Sequence, residues 1–415
     1  MRQRFIQSFP TREDIQSALD NKELGKPYVA FSREDQSIYW NTKNLDMDYL
    51  IPLTFEVTDA GTIVWKKGGD SAPARTIQYS INNGSWQSIT ANDTAGTEIN
   101  VSVGDVVQFK GNNTSYASDI ANSCSFAGTA KYYAYGNIMS LIYGDNFIDK
   151  TTLTETYTFP RLFYGATGLK SHSTHKLVLP ATTLTDYCYR NIFEDCTSLT
   201  QAPILPATTL TDYCYGYMFL NCTSLTQAPS LPATTLATGC YSNMFQGCTS
   251  LVNAPALPAT ELVNQCYADM FKGCTSLTQA PVLLATALGF ACYLRMFQGC
   301  ASLVNAPALP ATTLTESCYD SMFAGCTNLT TAPELPASTL VGTNQYNGCY
   351  RSMFSNCTNL NYIKCLATDI SATGCTTGWV NNVASSGTFV KHPDATWSTG
   401  ESGIPTGWTV ENATV

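Results

Sequence analysis

The sequence predicts a mixed α/β solenoid, a stack of short helix-plus-strand coils, preceded by a small β-sandwich and an N-terminal helix and hairpin. Three observations lead there. Fourteen of the 17 cysteines fall into seven C-x7-C pairs, at 188/196, 214/222, 240/248, 266/274, 292/300, 318/326 and 349/357. The first cysteine of each pair recurs after 26 residues five times running and after 31 at the last step. Upstream, residues 51–130 alternate apolar and polar in short runs separated by turn residues. A fixed internal period of this length is the mark of units that stack because none can bury its own apolar face.

Composition narrows the function. The 415 residues are 44% hydrophobic, enough to bury a core, but only 13% charged, about half the usual quarter for soluble domains. Net charge is −9 with no Lys/Arg-rich stripe, so counterion release on nucleic acid has no source. No apolar run approaches the roughly 20 residues of a membrane span. The start, with Arg2 and Arg4, lacks the apolar stretch of a secretion signal, so the chain does not read as a Sec substrate.

Residues 1–50 read as a docking segment. Thr11-Arg12-Glu13-Asp14 before Ile15, Ala18 and Leu19 resembles a capping box, and Tyr28–Phe31 with Ser37–Trp40 read as a β-hairpin. So small a piece needs a surface to pack on. Residues 51–130 form the β-sandwich, with strands expected at Leu53–Val57, Thr62–Trp65, Thr76–Ile81, Trp86–Ile89, Ile99–Val103 and Val106–Phe109, and a tight hairpin turn at Asn82-Asn83-Gly84. The stretch Ser80–Trp86 resembles the Asp box of sialidases with Asn where the Asp belongs, and it is read as a hairpin.

The repeats occupy 131–365. Within one copy Cys214, Met218 and Cys222 lie four apart, with Tyr215 and Phe219 beside them, which predicts a two-turn amphipathic helix. The residue before the second cysteine is Asp195, Asn221, Gly247, Gly273, Gly299, Gly325 or Asn356, types that tolerate left-handed backbone, so the helix should end there. Arg190, Tyr217, Asn243, Asp269, Arg295 and Ser321 vary freely, as an outward face would. The following T-S-L-T-x-A-P-x-L-P carries two prolines, which restricts any strand to a few residues. Leu162–Leu169, with Thr151–Thr154 ahead of it, reads as a weaker copy, and Ile138–Phe147 as an earlier fragment. About nine coils at roughly 4.8 Å give a rod of about 40–45 Å. Residues 366–415, where the period lapses, read as a closing cap with a few strands.

The motif C-Y-x-x-M-F-x-G-C-T-S-L-T-x-A-P-x-L-P-A-T-x-L resembles the BspA-like leucine-rich repeats of surface and phage-encoded proteins of gut Bacteroidales. Gly136–Phe147 and Gly403–Val410 resemble the flanks of such arrays, and Gly25–Phe31 is similar to amino-terminal segments of virion proteins in crAss-like phages. The resemblance implies a right-handed leucine-rich-repeat coil used for structure and binding, and no chemistry.

The cysteines read as buried apolar residues. C-x7-C is not a zinc spacing, and eight helical residues hold the pair roughly 10–12 Å apart, beyond the reach of a disulfide. Bridges between coils would need coils stacked near 5 Å and are left open. His172, His175 and His392 read as solvent-exposed loop residues with no nucleophile elbow or metalloprotease helix to support catalysis. Tyr217 is the outward aromatic best suited to touch a partner. The expected function is that of a non-enzymatic phage virion structural protein, a head or tail fibre or decoration, with no cofactor, metal or catalytic residue. Its rod attaches to a host surface protein or glycan. Its partners would be other virion proteins through the N-terminal segment and further copies of itself, for instance in a trimer. The alternative is a bacterial cell-surface adhesin of the BspA-like type.

Overall fold

The computed structural model describes residues 6–9, 29–32, 38–40 and 47–414. The chain divides into two compact units, Met1–Ile51 and Pro52–Val415. In the first, β2 (Val29–Ser32) pairs antiparallel with β3 (Ile38–Trp40), so the hairpin forms where the alternation placed it, and β1 (Ile6–Phe9) adds parallel to β2. The helix expected over Thr11–Leu19 lies outside the described residues.

The second unit opens with two sheets. One carries β4 (Leu53–Asp59), β6 (Thr76–Ile81), β7 (Gln87–Thr90), β9 (Val106–Gly111) and β11 (Lys131–Asn137), joined at its edge by β12 (Leu169–Lys170) and β13 (Leu177–Val178). The other orders β10 (Cys124–Gly128), β5 (Gly61–Lys67) and β8 (Thr97–Val101). All six strands expected between 51 and 130 are present. Phe126 on β10 meets Phe55 at 5.0 Å and Phe109 at 4.9 Å, which packs one sheet on the other. Asn82 and Asn83 both take positive φ, 52° and 57°, in the tight turn after β6 that the Gly84 amide closes onto the Ile81 carbonyl at 2.9 Å. Ile138–Phe147 is not a repeat: α1 (Ser140–Tyr143) is a single turn whose Ser140 hydroxyl accepts from the Leu53 amide and donates to the Phe109 carbonyl, tying β4 to β9.

Helices are nearly absent among the described residues, and the α/β expectation for the repeats is corrected accordingly. The C-x7-C segment is a ladder of turns. In the copy around Cys214, the amides of Cys214, Gly216, Met218, Leu220 and Cys222 donate to the carbonyl three residues back. Those of Tyr213, Tyr215, Tyr217, Phe219 and Asn221 donate across to carbonyls of the next repeat, at 2.8–3.1 Å. Every fourth residue, Tyr213, Tyr217 and Asn221, sits at a φ of 52–60°, and the middle member of this trio recurs nine times, from Arg161 to Gly378. An α-helix keeps its hydrogen bonds within the segment. Here half of the donors face a neighbouring repeat, and those bonds offset the roughly 1–2 kcal/mol that each left-handed non-glycine residue costs. The apolar rows keep their expected burial because a period of 4.0 and a period of 3.6 diverge little over two turns.

The strand expected after each ladder shrinks to isolated parallel bridges, Gln201–Gln227, Gln227–Asn253, Asn253–Gln279 and Gln279–Asn305, since prolines that follow, such as Pro229 and Pro232 after Gln227, lack the donors for a longer ladder. Two aromatic rows run through the core. Phe126, Phe163, Phe193 and Phe219 stack at 5.4–5.8 Å and continue to Phe354; Tyr116, Phe159, Tyr189 and Tyr215 stack at 5.8–6.0 Å and continue to Tyr350. Both rows begin in the sandwich, so the sandwich fills the open end of the stack. At the other end Trp379 stacks on Tyr350 at 6.2 Å and on Trp397 at 5.4 Å, beside the parallel sheet of β14 (Tyr362–Cys365), β15 (Thr388–Lys391) and β16 (Thr409–Asn412).

Candidate functional site

Residues in the core columns are the same in copy after copy, whereas those in the outer columns of the turn ladder are not. The column with the first positive φ reads Tyr187, Tyr213, Gly239, Gln265, Ala291 and Ser317. The next outward column reads Arg190, Gly216, Ser242, Ala268, Leu294 and Asp320, and the one after it Asn191, Tyr217, Asn243, Asp269, Arg295 and Ser321. Five successive repeats contribute to a cleft of about 340 Å³ on this face, lined by Tyr187, Arg190, Tyr213, Tyr217, Asp269 and Arg295 among others.

Glycine makes the opening. Gly239 has a φ of 59°, and a Cβ there would run into the ring of Tyr213. The ring therefore lies across Gly239, and its hydroxyl donates to Gln265 Oε1, two repeats on, at 3.1 Å. Tyr213 also stacks on Tyr187 at 5.3 Å, and burial together with the neighbouring rings of Tyr157 and Tyr213 pushes the Tyr187 hydroxyl above its ordinary pKa.

Arg190 lies over three rings, with its guanidinium carbon 5.6 Å from the Tyr187 centroid, 5.0 Å from Tyr213 and 4.9 Å from Tyr217. Its Nε is buried without a hydrogen-bond partner, and no ion pair engages its guanidinium among the described residues. Arg295 differs. It binds Asp269 through Nε at 2.8 Å and through a terminal nitrogen at 2.9 Å, which holds its pKa above the usual value against the opposing effect of burial. Asp320 pairs with Arg351 at 3.0 Å further along, yet burial keeps its carboxyl above the ordinary range.

Of the positions expected to point outward, Arg190, Tyr217, Asn243, Asp269 and Arg295 all line this cleft. Asn243, Asp269 and Ser321 are nevertheless buried, each shielded by polar partners or neighbouring repeats, which corrects the expectation of a fully solvated face. Sequence reasoning missed Tyr187, Tyr213 and Gln265. The available signal was the break in the first column at Gly239, between two tyrosines and a glutamine.

The histidines are not free loop residues. His172 Nδ1 accepts from the backbone amides of Thr174 and His175, its ring meets Tyr133 edge-on at 5.0 Å, and Nε2 lies 3.9 Å from Glu56. His175 stacks on Tyr135 at 4.6 Å. His392 accepts from the Asp394 amide. With the Nδ1 of His172 and of His392 used as a turn acceptor, the insertion at 171–174 docks on the sandwich edge where an exposed loop had been expected.

All 17 cysteines are free and buried. The thiol of each second cysteine donates to a phenylalanine carbonyl of the preceding repeat, as Cys248 does to Phe219 and Cys274 to Phe245, both at 3.1 Å.

Residues 165–288 and 293–374 match the family described as BspA type leucine-rich repeat region, in six copies. The repeat region is similar to this family over those residues. A solved structure, a leucine-rich repeat protein from Bacteroides ovatus, aligns with 69% of this chain and 86% of its own at 14% identity, with a TM-score of 0.25. No curated protein matches the chain. The BspA-type repeats thus supply the core rows, and the cleft lies within them, between Tyr187 and Arg295.

Proposed function

We propose that the protein is a non-enzymatic display protein, a leucine-rich-repeat solenoid whose outward face binds a partner on another surface. One observation carries this reading. A core that repeats Cys-Tyr, Met-Phe and Cys, with Ile192 for Met in the first copy, supports outer columns in which Arg, Gly, Ser, Ala, Leu and Asp succeed one another at a single position. A constant scaffold with one non-repeating face is what recognition of a shaped ligand requires.

The setting we favour is a phage particle, with the protein as a head or tail fibre or decoration. Residues 1–50 would dock on other virion proteins, and the repeats would meet a host surface protein or glycan, in a homo-oligomer such as a trimer. The second reading, a bacterial cell-surface adhesin, is favoured by the BspA-type repeats themselves. Mass spectrometry of density-purified phage particles and of the outer-membrane fraction of the producing culture separates the two, since the chain should co-purify with portal and capsid proteins in the first case and with envelope proteins in the second. Labelled full-length protein should bind intact host cells saturably. Failure to bind any cell, with the chain found in neither fraction, would remove the display reading.

A further inference from the structure

We propose that the cleft between Tyr187 and Arg295 binds a carboxylated pyranose, a uronic acid unit of an acidic polysaccharide, with Arg190 receiving the carboxylate. The inference rests on the display reading above and gives it a site and a ligand class. Arg190 is held by three tyrosine rings at 4.9–5.6 Å, its Nε is buried without a hydrogen-bond partner, and the Glu194 carboxylate on which its charge acts is hydrogen-bonded by Asn191. A fixed guanidinium with unused donors matches the two oxygens of a carboxylate. The charges lining the cleft are those of Arg190, Arg295 and Asp269, a net positive site on a chain that carries −9 overall. Asp269 is already engaged by Arg295, so it does not quench Arg190.

The rest of the lining is hydroxyl and amide. Tyr217 offers a hydroxyl that both donates and accepts, and Ser242, Asn243 and Gln265, tied to Asn243, Gln246 and Tyr213, keep further donor and acceptor capacity for the hydroxyls around a sugar ring. A volume of about 340 Å³ is at the lower end for small-ligand sites, about 300–1,000 Å³, and suits one or two sugar rings with the chain running out along the repeats. Tyr213, folded over Gly239 and bonded to Gln265, fixes the wall without occupying the opening.

Isothermal titration of the full-length protein with α-1,4-linked trigalacturonate, and with its methyl ester as the uncharged counterpart, tests this. Saturable binding of the acid is expected, with the ester at least tenfold weaker. Arg190→Gln should weaken the acid at least tenfold while the protein stays folded with a thermal midpoint lowered by a few degrees at most, because the side chain loses its ring contacts but no hydrogen bond. Lys364→Gln, at a surface pair away from the cleft, should bind as the parent does. Equal binding of acid and ester, no effect of Arg190→Gln, or capture of a glutamate-rich peptide in place of the sugar would each overturn the assignment. If intact cells are still bound while trigalacturonate is not, the display reading stands and only this site falls.

Discussion

The thiol of Cys222 donates to the carbonyl oxygen of Phe193, in the preceding repeat, at 3.0 Å, and the same oxygen accepts the amide of Cys196. The relation recurs from Cys196 and Phe163 through Cys357 and Phe323. It explains why cysteine fills this column in all seven C-x7-C copies, with alanine only at Ala166 in the weaker copy upstream. The residue must be small enough for the stacked turns and must supply one weak donor to the second lone pair of a buried carbonyl.

That geometry makes the thiols inert. The native protein should show no fast reaction with a disulfide reagent at pH 8, and 17 reactive thiols after denaturation. Spectrophotometric titration counts them. Several native thiols reacting within seconds would contradict the buried ladder.

Alkali should unfold the protein early. Burial pushes Cys214, Cys274, Cys292 and Cys365 up to about 12, and Tyr189, Tyr215 and Tyr350 well above their ordinary values. With folded pKa values raised, these groups contribute nothing to pH dependence below the unfolded thiol pKa near 8.5. Above it the unfolded chain releases protons that the folded chain retains, and stability falls by about 1.4 kcal/mol per pH unit for each such thiol. Denaturation midpoints between pH 7 and 10 should stay level to about pH 8 and then drop steeply. A level profile to pH 10 would show that the thiols are solvated.

Three adjacent residues should give three different results. Phe271 is fully buried in the phenylalanine row, and Phe271→Ala should cost about 3–5 kcal/mol. Lys272 is partly exposed, 3.4 Å from an Asp269 already held by Arg295, so Lys272→Ala should change stability by less than about 1 kcal/mol. Gly273 has a φ of 72°, and a Cβ added there would meet nothing closer than the Gly247 nitrogen at 3.8 Å, so Gly273→Ala costs only the left-handed backbone, about 1–2 kcal/mol. Urea unfolding of the three variants measures this, and equal losses at 271 and 272 would refute the inward and outward columns.

Trp379 closes the aromatic rows, and its indole donates to the Gly403 carbonyl at 2.8 Å. Trp379→Ala should cost about 3–5 kcal/mol. In a stack where each repeat leans on its neighbours, the loss should appear first at that end. Hydrogen exchange should quicken in residues 349–412 before it changes around Cys240. Uniform loss of protection along the chain would argue against local closure.

Much of this was legible in the sequence. The period, the inward rows of Cys, Tyr, Met and Phe, the left-handed position before each second cysteine and the Asn82-Asn83 turn all follow from residue types at fixed spacing. So do six strands of the sandwich, because alternation with period two survives any tertiary setting, while β10 and β11 were not read. The positions of Arg190 and Tyr217 were readable as outward but not as neighbours.

Sequence alone therefore determined that identical units stack and which side of each faces in. Tertiary structure decided how the backbone runs between the cysteines. Whether an amide such as that of Tyr215 bonds four residues back or across to Cys240 depends on a carbonyl that only the adjacent repeat provides. It also decided the cleft, which forms where glycine at 239 lets one tyrosine fold across a repeat and where five repeats bring side chains distant along the chain to one opening.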